Sequence, residues 1–286
     1  MNSLTTSRLE PVILTAAPNG ARKTKTDHPM LPITPSELAD EAKACLEQGA
    51  AMIHLHVRDD ADAHSLDVQK YRDAIAAIRD AVGEALVIQA TTEAVGIYSA
   101  EQQMEMVLDL KPEAASLAIK ELVPEGAEAK AREFFVEMRS QSIMPQFILY
   151  SAEELVRCQK LMAEGVIPFE NPFLLFVLGR YTTGQQSHPK DLLPFVSGLT
   201  ADTDWAVCAF GPLEHASASC ALAMGGHVRV GFENNMNLRD GTVAGRNADL
   251  IRQARDVAEA IGRPLATADD VRQKFREVKE REKHAS

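Results

Sequence analysis

Cysteine is scarce in this 286-residue chain: Cys45, Cys158, Cys208 and Cys220 stand far apart, and no CxxC spacing offers a redox pair or a thiolate metal site. Reduced and mostly buried thiols are expected, so any metal centre must draw on histidine and carboxylate. Positive charge is also in short supply. Thirty Lys and Arg face 41 Asp and Glu, for a formal charge of -11, and no basic stripe gathers the charge that a phosphate backbone requires. No apolar window is long enough to span a bilayer, and MNSLTTSRLE carries no apolar stretch behind its one basic residue. Internal repeats, low-complexity segments and Gly-rich phosphate loops of the GxGxxG or GxxxxGKS type are missing too. The expectation is a soluble cytoplasmic protein without nucleic-acid or membrane partners. Its 45% hydrophobic and 25% charged residues suit a large globular core.

What is present is a strict alternation. Short apolar runs at Pro11–Ala17, Met52–Val57, Ala85–Thr91, Ala114–Ile119, Pro145–Tyr150, Phe173–Gly179, Trp205–Phe210 and Val228–Glu233 read as buried parallel strands. Between them, stretches of helical periodicity begin near Pro35, Asp67, Ala100, Ala127, Ala152, Pro189, Leu213 and Gly245. The first has the clearest start, because Thr34-Pro35-Ser36-Glu37 offers a capping hydroxyl, a proline at the first helical position and a carboxylate at the third. Leu38, Ala42, Cys45 and Leu46 form its apolar stripe, and Gly49 suits its stop. Eight such units predict one α/β domain, a (β/α)8 TIM barrel over 1–286, with a doubly wound open sheet as the alternative. From about Arg272 the polar segment ending in KFREVKEREKHAS reads as a solvated, fraying helix.

Alternate residues of a strand share a face, so His54, His56 and Arg58 point one way in IHLHVR, and Arg229, Gly231 and Glu233 do so in VRVGFE. The alternatives are hydrogen-bonded core histidines and a surface ion pair of Arg58 with Asp59. In a closed barrel the second and eighth strands flank the first, which brings Glu233 to the two histidines. Two imidazoles and a carboxylate leave a fourth position open, the pattern of a catalytic zinc site.

At these residues the chain resembles the β-keto acid cleavage enzymes, the family of the 3-keto-5-aminohexanoate cleavage enzyme. The likeness runs from about Pro11 to Phe275 through ILTAAPNGA (13–21), LPITPSELADEA (31–42), GAAMIHLHVRD (49–59), KPEAASL (111–117), FVLG (176–179), GGHVRVGFENN (225–235) and IGRPLAT (261–267). The resemblance implies a (β/α)8 barrel, a homotetramer and zinc on His54, His56 and Glu233. It also implies a reaction in which a β-keto acid condenses with acetyl-CoA and is cleaved in a retro-Claisen manner to acetoacetate and a new acyl-CoA. Zinc would polarise the keto oxygen, and Arg229 would neutralise a carboxylate or support the base, a structural ion pair being the other role open to it. Thr91 and Ser116 fall where relatives place substrate-binding hydroxyls; backbone capping is the other role open to them.

The pattern departs from the family at instructive places. Asn234 stands where the best-described relative has an aspartate base, and an amide cannot accept the proton. Either the base comes from elsewhere or the mechanism or rate differs: Glu93, in TTEA after the third strand, is one candidate base with a solvated loop carboxylate as the alternative, and Glu121 is a weaker candidate. Arg22 replaces a glutamate of the enzyme acting on an amino-bearing substrate, and Gln146 replaces another acidic residue. This change of charge points to a neutral or anionic β-keto acid, a dicarboxylate among them. Arg180 and the Tyr181–Gln186 loop are candidates for CoA contact, with an ordinary surface loop as the alternative, and His215 is left without an assigned role, packing being commoner for such a histidine than service as a third imidazole ligand. Two rival readings are a zinc aldolase or hydrolase working without CoA, and a keto-acid or CoA-ester binding protein that has lost its base.

Overall fold

A computed structural model describes residues 10–285 other than 170, 201 and 202. The N-terminal stretch considered above as a targeting segment therefore lies, through Leu9, outside the described residues. The chain runs β1 (Leu14–Ala16), α1 (Pro35–Glu47), β2 (Met52–Leu55), β3 (Val57–Arg58), β4 (His64–Ser65), α2 (Val68–Val82), β5 (Val87–Thr91) and α3 (Ala100–Leu110). It continues through β6 (Ala114–Ala118), α4 (Ile119–Leu122), α5 (Glu128–Ser140), β7 (Met144–Leu149), α6 (Ala152–Ala163) and β8 (Phe173–Leu178). A 3-10 turn (Pro189–Leu192), α7 (Leu193–Ser197), β9 (Trp205–Ala209), α8 (Glu214–Ala223), β10 (His227–Val230), α9 (Asn247–Ala260) and α10 (Ala268–Ala285) complete it.

Eight parallel strands close in the order β1-β10-β9-β8-β7-β6-β5-β2, so the barrel reading holds and the open sheet is excluded. Local chemistry sets the helix starts. Thr34 and Glu37 form the expected capping box of α1, Ser99 and Gln102 form another on α3, and the Asp67 and Ser151 side chains accept from the first turns of α2 and α6. Gly49 follows α1 with φ +99°, as its stop requires.

Apolar residues divide between two clusters. The larger, with Leu14, Ile53, Leu55, Phe147 and Phe176, fills the layer between strands and helices. The smaller lies inside the barrel, where Ile13, Met52, Val87, Met144, Phe173 and Leu175 pack together. Above this plug the inward positions turn polar: His54, Gln89, Ser116, Gln146 and Arg229 are all buried, the first four each two residues along the strand from an apolar member of the plug and Arg229 two residues from His227.

The C-terminal helix differs from its reading as a solvated tail. Val271 is buried and Phe275 packs against the inner plug, while the Arg272 guanidinium meets Glu113 Oε1 at 2.6 Å and Lys274 meets Asp204 at 2.5 Å. Two apolar residues four apart suffice to dock a helix turn, and among so many charges they escape a reading by composition. Among the described residues no helix is long and apolar enough to cross a membrane.

Candidate active site

The site lies at the C-terminal end of the strands, and the first surprise is how its ligands are carried. Strand β2 ends at Leu55 and β10 at Val230, so His56, the single residue between β2 and β3, and Glu233, on a turn, lie beyond the ladder rather than on one strand face with His54 and Arg229. Two glycines make this possible. A Cβ on Gly231, whose φ is +150°, would lie 2.2 Å from Ala17 O, and one on Gly20 would lie 2.6 Å from Glu233 Cγ. The turn is then pinned by Glu233 N–H donating to Ala17 O (3.1 Å) and Phe232 N–H donating to Asn247 Oδ1 (2.7 Å). Gly231→Ala is expected to lose roughly 1–3 kcal/mol from backbone strain alone, lowering the melting temperature by several degrees in a thermal scan.

The three residues converge. His54 Nε2 and His56 Nε2 are 3.1 Å apart, and both face Glu233 Oε2, at 3.6 and 3.5 Å. His54 Nδ1 lies 2.8 Å from Gln89 Oε1, and Gln89 Nε2 donates in turn to Gln146 Oε1 at 3.1 Å. A glutamine carbonyl can only accept, so His54 carries its proton on Nδ1 and turns a lone pair inward. Glu233 Oε2 is buried with no hydrogen-bond partner among the described residues. This gathering of acceptor atoms suits a cation, and two imidazoles with a carboxylate are a donor set that divalent zinc accepts. His54, His56 and Glu233 are also the metal-competent cluster found among the described residues.

Arg229 supplies the compensating charge. Its Nη2 donates to Glu233 Oε1 at 3.2 Å and to Cys208 Sγ at 3.3 Å, while Nε and Nη1 have no partner among the described residues. Burial pushes the Glu233 carboxyl up, but Arg229, followed by His54 and His56, outweighs it and holds the group well below the usual carboxylate range. Burial, with the Arg229 charge next, holds the His54 imidazole well below its ordinary value. Lys23 donates to Glu233 O at 2.6 Å, and burial lowers its pKa.

His54, Arg229 and Glu233 open onto a pocket shared with Thr91, Glu121 and Arg180, with Ile148, Val177 and Phe210 as its apolar wall. Glu93 also lines it, with Oε1 3.1 Å from Arg180 Nη2 and 4.0 Å from Arg22 Nη2. Arg22 itself is 60% exposed and stands outside the lining. Glu121 accepts from Ala94 N–H at 3.1 Å, and burial raises its pKa.

Other sequence candidates sit elsewhere. Ser116 and Gln146 are buried below the pocket rather than on it, and Gln146 reaches the metal cluster only through Gln89. Asn234 is buried behind the Glu233 turn, where its amide donates to Glu214 Oε1 and Arg229 O. Arg58 is no surface partner of Asp59: it is buried and donates to the carbonyls of Gly20, Lys23 and Asp62, tying the loop after β1 to the β3–β4 hairpin. Gln89, Cys208 and Glu214 were missed by sequence reasoning. Gln89 had a signal, a lone amide in phase with Thr91 in an apolar strand, whereas Glu214 had none.

Comparison with known proteins agrees with this architecture. A family profile described as beta-keto acid cleavage enzyme matches residues 11–276. The 3-keto-5-aminohexanoate cleavage enzyme of Acetoanaerobium sticklandii is 31% identical, over 93% of this chain and 98% of that one. The 3-oxoadipate:acetyl-CoA acetyltransferase of Cupriavidus necator is 28% identical over 92% of this chain and 94% of its own. Among solved structures, apo ObcA superposes with a TM-score of 0.71 at 17% identity, over 86% of this chain and 65% of that one, a likeness of fold.

Proposed function

The chain belongs to the β-keto acid cleavage enzymes, and from that premise we propose that it is a zinc-dependent enzyme that cleaves a β-keto acid with acetyl-CoA as co-substrate, giving acetoacetate and a new acyl-CoA. The observation that carries this reading is the convergence of His54, His56 and Glu233 beside the unpartnered N–H groups of Arg229. A zinc ion held by those three residues would supply Lewis acidity for a keto oxygen. Arg229 offers Nε and Nη1 to a carboxylate or to negative charge developing next to the cluster, as a buried fork of fixed donors. Thr91 lines the same pocket, with its hydroxyl accepting from Glu93 N–H at 3.1 Å.

Of the two pocket carboxylates, Glu121 is the better proton acceptor. Arg180 engages Glu93 in an ion pair, whereas Glu121 meets no cation within 4 Å among the described residues and burial raises its pKa. Glu93 instead anchors Arg180 and faces Arg22. Those guanidinium groups support a neutral or anionic far end of the substrate. The homotetramer implied by the family likeness and the cytoplasmic location expected from the sequence are part of the same proposal.

The test is to incubate zinc-loaded protein and acetyl-CoA with β-keto acids ending in a cation, a neutral group or a carboxylate, and to follow both products by mass spectrometry. Products from the neutral or anionic acids are expected, and turnover without acetyl-CoA would favour the aldolase or hydrolase alternative. Arg22→Glu is expected to shift the preference toward the cationic acid by roughly tenfold, equivalent to ~1.4 kcal/mol. An unchanged preference would remove Arg22 from substrate selection.

A further inference from the structure

We propose that Glu214 is a positioning residue for the metal-binding turn, and that the amide at position 234 is matched to it. This inference rests on reading His54, His56 and Glu233 as a metal centre.

Glu214 opens α8 and is only 2% exposed, yet no cation lies within 4 Å of it among the described residues. Its carboxylate is spent on one turn: Oε1 accepts from Gly231 N–H at 3.3 Å and from Asn234 Nδ2 at 3.3 Å, and Oε2 accepts from Asn235 Nδ2 at 3.2 Å. These donors bracket Glu233 on both sides. Because β10 ends at Val230, no sheet ladder fixes Glu233. Ala17 and Asn247 hold the turn from one flank, and Glu214 holds it from the other.

The hydrogen-bond polarity leaves no freedom. Asn234 Oδ1 accepts from the Cys208 thiol at 3.1 Å, and its Nδ2 also donates to Arg229 O at 3.1 Å. Asn235 is fixed likewise, donating to Asn237 O at 2.6 Å and accepting from Asn237 N–H at 3.0 Å. Neither amide can turn round without breaking bonds on its far side. An ionised aspartate at 234, the residue the family likeness would place there, cannot donate and would set acceptor against acceptor at both an ionised Glu214 and Arg229 O.

The experiment compares the full-length protein with Glu214→Ala, Glu214→Gln and Asn234→Asp, each first shown to unfold cooperatively. Zn2+ affinity is measured by chelator competition and ligand geometry by Co2+ visible absorption. Glu214→Ala is expected to weaken Zn2+ binding about 10–100-fold and to alter the Co2+ spectrum. Glu214→Gln, which keeps the acceptor for Gly231 and Asn234 but opposes Asn235, should fall between parent and Glu214→Ala. Asn234→Asp should bind zinc more weakly and turn over no faster. Affinity within twofold of the parent with an unchanged Co2+ spectrum in Glu214→Ala, or a gain of turnover in Asn234→Asp, would overturn the proposal. Should the parent bind neither ion, the metal reading itself fails. Hydrogen exchange over residues 231–237 then decides: faster exchange in Glu214→Ala supports the positioning role, and unchanged exchange sinks it.

Discussion

Replacing His54 by alanine is expected to abolish both zinc retention and product formation while leaving the barrel folded. His54 contributes one of the three donors, and the Gln89 and Gln146 amides behind it enforce its orientation. Losing an outer-layer partner of a metal ligand already costs about 10–100-fold in affinity, so losing the ligand itself should exceed that range. The fold should survive because His54 lies above the apolar plug of Ile13, Met52 and Val87 rather than within it. Metal content after dialysis, circular dichroism and acyl-CoA formation measured on one preparation check the claim. Full activity in a metal-free His54→Ala protein would end the metal reading of the site. Gln89→Leu, by contrast, should leave some metal bound, because the imidazole stays and only its anchoring is lost.

Removing Arg229 should have the second largest effect, and it should act in two ways. Arg229 is buried, and its Nη2 bonds to Glu233 Oε1. Breaking a buried pair by deleting one partner typically costs about 3–5 kcal/mol, because the other charge is left uncompensated. Arg229→Met is therefore expected to melt well below the parent when metal-free. Zinc should restore part of the difference, since a divalent cation replaces the lost positive charge beside Glu233. The second effect is on turnover: without the free Nε and Nη1 donors, kcat/KM should fall by about 10²–10³-fold, the usual consequence of losing a donor aimed at developing charge. Arg229→Lys keeps the charge but not the planar fork and should recover stability more than rate. Equal recovery of both would mean that Arg229 acts only as a counter-ion.

Much of this protein was legible in its sequence because the relevant signals are local. Burial on both faces writes a parallel strand as a short apolar run, and all eight runs became barrel strands. The capping residues Thr34, Asp67, Ser99 and Ser151 mark helix starts that depend on nothing distant. HLH and GFE could be brought together in thought because barrel closure makes the second and last strands neighbours of the first. The Val271 and Phe275 anchor of α10 was harder to see, since two apolar residues among charges acquire meaning only against the surface they cover.

Sequence by itself determined the alternation of strand and helix, the family and the donor types available for a metal, because periodicity, capping and side-chain chemistry are properties of neighbours along the chain. Only the tertiary structure decided which buried polar groups meet. Ser116 and Gln146 lie below the pocket, Glu93 is claimed by Arg180, and Glu233 hangs on a turn that Gly231 and Gly20 let pass and Glu214 holds in place. Those outcomes depend on distances between residues far apart in sequence, such as Glu93 and Arg180, and hydrogen-bond partners at that separation leave no periodic trace.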